Sequence, residues 1–186
     1  MRATLQTLAI IGLVAVAQHA LRLIGLAGIF ALSAPLSLAP WTVVTSVYAH
    51  GSLGHLLANA IGLLLVGPLV ERRTTTLRFH AFVVTTGALA GIAQVTLGGL
   101  VGPSPAVLGL SGAVFALGGY LLAGNVASAR LFDRLRLSPR VQLLLFGVVA
   151  VGLTVMTAAP GVALIAHGVG AFCGLVAGRV GLLDIR

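Results

Sequence analysis

The sequence has no lysine, only three acidic residues and a single cysteine. Charged residues make up 8% of its 186 positions, and the mean hydropathy is +1.13. Soluble domains carry about 25% charged residues, so this scarcity excludes an ordinary water-soluble globule. One cysteine, Cys173, excludes an intrachain disulfide. No H-E-x-x-H is present and no carboxylate falls inside an apolar stretch, which removes the usual signature of a metal-dependent hydrolase. Neither a 20–50-residue repeat nor a low-complexity tail is evident. The formal net charge of +8 would suit a nucleic-acid binder, but the positions of the charges do not form such a surface.

What is present is a set of apolar segments separated by arginine. Six can be drawn, at about 5–25, 54–70, 79–98, 108–126, 141–159 and 161–182. Each approaches the roughly 20 residues that cross about 30 Å of hydrocarbon. With no water to satisfy backbone groups there, the segments are expected to be helices. The expectation is an all-α membrane protein, one domain spanning 1–186, built as a six-transmembrane-helix bundle. Glu71-Arg72-Arg73 joins the second and third segments, and Arg130 to Arg140 the fourth and fifth. The 26–53, 99–107 and 159–161 connections hold no Arg, Asp or Glu. Positive charge marks the cytoplasmic side, which puts both termini inside. Arg22 is the exception, at the outer end of segment one, where its stem can snorkel. A signal peptide is the rival reading of segment one, from Arg2, the apolar run and Ala15-Val16-Ala17. The 26–53 stretch holds Trp41 and Tyr48 and reads as an outer connection lying at the membrane interface. The arginine-only basic set, with abundant Ala, Gly, Val and Leu, suggests a GC-rich prokaryote and its cell membrane.

Against this background the polar residues stand out. His55 and Asn59 share one face of segment two, at i and i+4. Ser111 opens segment four within Gly109-Leu110-Ser111-Gly112, and His167 follows Ala166 in segment six. At 1.5 Å per residue, His55 lies about 24 Å and Asn59 about 18 Å above Glu71, and His167 lies about 18 Å above Arg179. Ser111 lies at most about 28 Å above Arg130, and less if the helix ends near Gly124. All four therefore fall in the outer half of the hydrocarbon. Gly170, Gly174 and Gly178 follow His167 at helical spacing, so a close crossing of segments four and six would bring Ser111 towards His167. A serine, an imidazole and an amide at one depth suggest a nucleophile, a base and an oxyanion donor. Taken singly, each has a plain structural alternative. Ser111 can be a packing serine beside glycine, His167 a buried histidine, and His55 and Asn59 bridges between helices. Three nitrogen ligands from His50, His55 and His167 are the competing metal reading; the expectation is no metal and no cofactor.

The ordered set of motifs resembles the rhomboid family of intramembrane serine proteases. Trp41 to Glu71 looks like that family's first outer loop and second helix, with His50, His55 and Asn59 matching H-x4-H-x3-N and Gly67 and Glu71 its end. Gly109 to Gly112 match G-x-S-G, and Ala166-His167 with Gly170 and Gly174 match A-H-x2-G-x3-G. The resemblance implies a six-helix rhomboid-like bundle and a serine endopeptidase. Ser111 would be nucleophile, His167 general base, and Asn59, His55 and the Ser111 N–H oxyanion donors. His50 would order the loop over the site, and Gly109, Gly112, Phe115 and Gly170 would support it. Partners would be single-span or other membrane-protein substrates in the lipid bilayer, and no nucleic acid. The site would open to the outer face, with segment five, carrying Gly147 and Gly152, as a lateral gate. Two departures stand against the pattern. Thr42 follows Trp41 where an arginine is frequent, and Phe115 stands four residues after the serine where many members have tyrosine. They keep open an alternative, a catalytically inactive rhomboid-like protein that binds membrane helices.

Overall fold

The computed structural model describes residues 1–26, 28–100, 106–159 and 161–185. Parts of the 99–107 and 159–161 connections, and Arg186, lie outside them. The described residues form an all-helical bundle of α1 (Arg2–Leu23), α2 (Thr42–Tyr48), α3 (Leu53–Glu71), α4 (Thr76–Gly98), α5 (Ser111–Ala123), α6 (Val126–Leu135), α7 (Pro139–Val155) and α8 (Leu164–Arg179). The β structure among them is one isolated bridge, Leu32 to Val107.

The six apolar segments correspond to α1, α3, α4, α5, α7 and α8. By length and composition α1, α3 and α4 can each cross a membrane alone. The others are shorter than the apolar stretches that encode them. The fourth segment, drawn from 108 to 126, is helical only from Ser111 to Ala123. Gly109 and Leu110 form the turn into it, and at Gly124 the chain bends by 59° into α6. The α6 helix occupies part of the 126–140 stretch, read from sequence as a connection. Its arginines and apolar residues segregate to opposite faces, the pattern of a helix lying along an interface.

Helices α5 and α8 form the centre of the bundle, and glycine sets how close they come. A Cβ on Gly170 would fall on the carbonyl oxygen of Gly112, one on Gly174 on that of Ala116, and one on Gly178 on that of Tyr120. The two backbones therefore touch over three successive turns, closer than any larger side chain permits. Around this pair the core gathers Leu63, Phe79, Phe82, Leu110, Leu117 and Tyr120. Large apolar side chains on the outer surface, including Leu13, Val16, Ile61, Leu65, Leu144, Val148 and Val151, are exposed. That inversion is expected where lipid, not water, is the surrounding medium.

One end of the bundle is tied by the charged residues. The Glu71 carboxylate accepts hydrogen bonds from the Ala3 and Thr4 N–H groups at 2.8 and 3.1 Å, and pairs with the terminal ammonium at 3.2 Å. It thereby caps the N-terminus of α1 from the end of α3. Arg73 donates to the Gly124 carbonyl at 2.7 Å, and the Tyr120 hydroxyl donates to Asp184 at 2.7 Å. Arg179 donates to Gln142 at 2.8 Å and lies over the Phe132 ring. The ends of α3, α5 and α8 and the start of α7 thus gather together, tied by arginines. At the other end Arg22 reaches from the last turn of α1 to the Gly51 carbonyl at 3.2 Å.

Candidate active site

Helix α5 is short, and its shortness fixes where Ser111 sits. Ser111 is its first residue, and thirteen residues rise only about 20 Å. Counted back from the charged end, Ser111 stands about 18 Å above Ala123, as Asn59 does above Glu71 and His167 above Arg179. Three helices so bring three polar side chains to one level.

The turn before Ser111 needs glycine for two reasons. Gly109 has φ +131°, and a Cβ there would lie 2.6–2.7 Å from the His55 ring. Its N–H donates to the Ser46 carbonyl at 2.8 Å, which ties the turn to α2. Leu110 follows as N-cap and supplies no side-chain acceptor, so the first N–H groups of α5, including that of Ser111, are not capped from within the turn. Unsatisfied N–H groups at a helix start, with the dipole behind them, favour developing negative charge. Gly112 keeps the next position small, because a Cβ there would meet Ala90 at 2.5 Å.

His167 lies in the first turn of α8 and is buried. Its ring stacks on Phe115 at 4.4 Å between centroids and 18° between planes. Phe115 is one turn below Ser111 on α5, so the residue that supports the imidazole and the serine share a helix face. The His167 Nδ1 is 3.0 Å from the Thr157 hydroxyl. Asn59 is buried on α3 and donates one amide proton to the His55 carbonyl at 3.0 Å, leaving its second proton free of that bond. The rings of His55 and His50 meet edge to face at 5.1 Å. His50 precedes α3, with its N–H on the Gln18 side chain at 2.9 Å and its Nδ1 3.1 Å from the Tyr48 carbonyl. Burial, reinforced by His55, holds the His50 imidazole down to about 4 against the opposing pull of that carbonyl. At neutral pH it is therefore uncharged.

Ser111, His167, Asn59, His55 and Phe115 all line one cavity of about 970 Å³. Its walls are α3, α4, α5, the start of α8 and the chain around Ala106–Leu108 and Gly161–Ala163. The cavity has the size of a site for a ligand or a short peptide segment. Of the sequence candidates, His50 stands behind His55 and lines a separate, smaller hollow with Gln18, His19 and Arg22. Gly109, Gly112 and Gly170 act through the close approaches described above. Two residues of the site were passed over in the sequence. Gln94 of α4 lines the cavity and accepts from the Ala166 N–H at 3.2 Å, holding the start of α8. Its signal was an amide in an otherwise apolar span. Thr157, a threonine past the end of α7, carried no signal at all.

A Rhomboid domain model matches residues 37–183, most of the chain. Over 93 residues, half of this chain, the sequence is 29% identical to the Rhomboid protease GlpG of Haemophilus influenzae. That match spans 46% of the relative's length, so the chain covers under half of it. The matched domain contains every residue lining the larger cavity, from Gly51 on α3's approach to His167 on α8. With an apolar all-helical bundle to match, this integral membrane protein belongs to the rhomboid family.

Proposed function

We propose that the protein is an intramembrane serine endopeptidase in which Ser111 is the nucleophile and His167 the general base. The observation that carries this reading is a shared cavity: Ser111 at the start of α5 and His167 in the first turn of α8 both line it, between helices locked together by glycine. The curated relative is named a protease, which supports the same reading.

A serine hydroxyl is a weak nucleophile until a base takes its proton. The imidazole of His167 accepts that proton as Oγ attacks the scissile carbonyl, and returns it to the leaving amine as the C–N bond breaks. A water then repeats the sequence on the acyl-enzyme. With no carboxylate among the described residues lining the cavity, the pair works as a dyad. Stacking on the Phe115 ring holds the plane of the imidazole. The carbonyl oxygen becomes an oxyanion beside the Ser111 N–H, the free amide proton of Asn59, and His55. Removing one such donor typically costs about 10²–10³ in rate.

The substrate is a membrane protein whose transmembrane helix enters between the helices of the bundle. A carbonyl in an intact helix is hydrogen-bonded and shielded, so the scissile segment unwinds before it is cut. Small and helix-breaking residues near the cut favour that step. Helix α7, which carries Gly147 and Gly152, is the lateral gate in this reading. The arginine-rich end faces the cytoplasm with both termini, and the cavity opens towards the outer face.

The test is cleavage of a single-span substrate by purified protein in liposomes. Wild type cuts it, and Ser111→Ala and His167→Ala each abolish the product while leaving thermal unfolding unchanged. Binding of the substrate without cleavage by wild type would overturn the reading in favour of an inactive helix-binding member.

A further inference from the structure

A dyad leaves one nitrogen of its histidine without a carboxylate partner, and the structure supplies an uncharged one. The Thr157 hydroxyl lies 2.9 Å from the Thr154 carbonyl oxygen and 3.0 Å from His167 Nδ1. A hydroxyl has one proton to give and lone pairs to accept with. Two oxygens 2.9 Å apart need a proton between them, so the Thr157 proton points to the Thr154 carbonyl. The contact to His167 must then run the other way, with Nδ1–H donating to Thr157. That assignment places the ring proton on Nδ1 and leaves Nε2 with the lone pair that can take a proton.

From this we infer that Thr157 is the positioning residue of the site. Its hydroxyl fixes the tautomer of the His167 imidazole, in the place where soluble serine hydrolases use a carboxylate. The inference rests on the reading of His167 as general base. Phe115 and Thr157 have separate tasks. Stacking against Phe115 sets the plane of the ring, but a flat apolar face cannot choose between its two nitrogens. Only a hydrogen-bonding partner makes that choice. Thr157 is itself anchored through its own N–H, which donates to the same Thr154 carbonyl at 3.1 Å. Thr154 in turn donates its hydroxyl to the Ala150 carbonyl at 2.9 Å within α7. The imidazole is thus tied to the end of α7 as well as to its own helix. Thr157 is exposed and is not among the residues lining the cavity, so the bond holds the ring from outside it.

The experiment uses the whole 186-residue chain in detergent, as wild type, Thr157→Val and Thr157→Ser. Valine keeps the shape and removes the hydroxyl, whereas serine keeps the hydroxyl. Cleavage of a single-span substrate should fall about tenfold in kcat with KM unchanged in Thr157→Val, the order expected for one lost hydrogen bond. Thr157→Ser should recover most of the rate, and the unfolding temperature should be the same in all three. In ¹⁵N-histidine-labelled protein, with the His167 signals identified by their loss in His167→Ala, Nδ1 should carry the proton in wild type. In Thr157→Val the two tautomers should mix. An unchanged tautomer and rate in Thr157→Val would overturn the inference, as would a failure of serine to rescue. If wild type cleaves nothing, the protease reading falls, and the nitrogen spectrum still decides what Thr157 does.

Discussion

Phe115 offers His167 an aromatic face and no hydroxyl. Its ring lies nearly parallel to His167 at 4.4 Å, and stacking needs no more than that face. Aromatic pairs contribute about 0.5–1.5 kcal/mol beyond the area they bury. Phe115→Leu, which retains bulk without the flat face, should therefore lower kcat by about three- to tenfold. Phe115→Tyr should leave the rate within about twofold. Steady-state cleavage of a membrane substrate checks both, and a Leu variant as fast as wild type would show that stacking does nothing for the base. Ser111, His55, Asn59 and His167 were legible in the sequence because polar groups are conspicuous in apolar stretches. Thr157 was not, because a threonine near the end of an apolar helix is ordinary. Its role depends on a contact between residues ten apart across a turn, which no helical spacing announces.

Among the elements, the crossing of α5 and α8 determines whether the site exists at all. The glycine spacing after His167 made a close approach legible, since i, i+3 and i+4 neighbours share a face. What the spacing could not specify is the partner surface, which is the bare backbone of Gly112, Ala116 and Tyr120. A Cβ at Gly174 meets the Ala116 carbonyl, and neither backbone can yield without moving a whole helix. Gly174→Val should therefore lower the unfolding temperature and remove activity together, with overpacking costing about 1–3 kcal/mol or more. Gly147→Ala, on α7 with open space at its Cβ, serves as control and should change the unfolding temperature little. Helix ends were harder to read than helices. Apolarity continues through Leu108 and Leu110, yet the helix starts only at Ser111, because Gly109 at φ +131° breaks the backbone first. The α6 helix was missed for the opposite reason. Its charges look like a solvated connection unless the separation of faces is weighed, and that separation is the pattern of an interfacial helix.

At the scale of the whole molecule, two ends of one bundle have different chemistry. One end collects the Glu71 cap on α1, the Arg73 and Tyr120 bonds, and the arginines of α6 and α8. The other collects Ser111, His55 and His167 around a cavity of about 970 Å³. The alternation of arginine along the sequence made this division legible before any contact was known. The proposed chemistry requires that the second end be wet and that serine and imidazole act as a unit. Reaction of the detergent-solubilised protein with a fluorophosphonate, located by mass spectrometry, tests that most directly. Ser111 should be phosphonylated in wild type, and labelling should fall at least about a hundredfold in His167→Ala, since the hydroxyl then has no base. A folded wild-type protein unlabelled at Ser111, or a His167→Ala variant labelled as fast as wild type, would contradict the nucleophile–base pair.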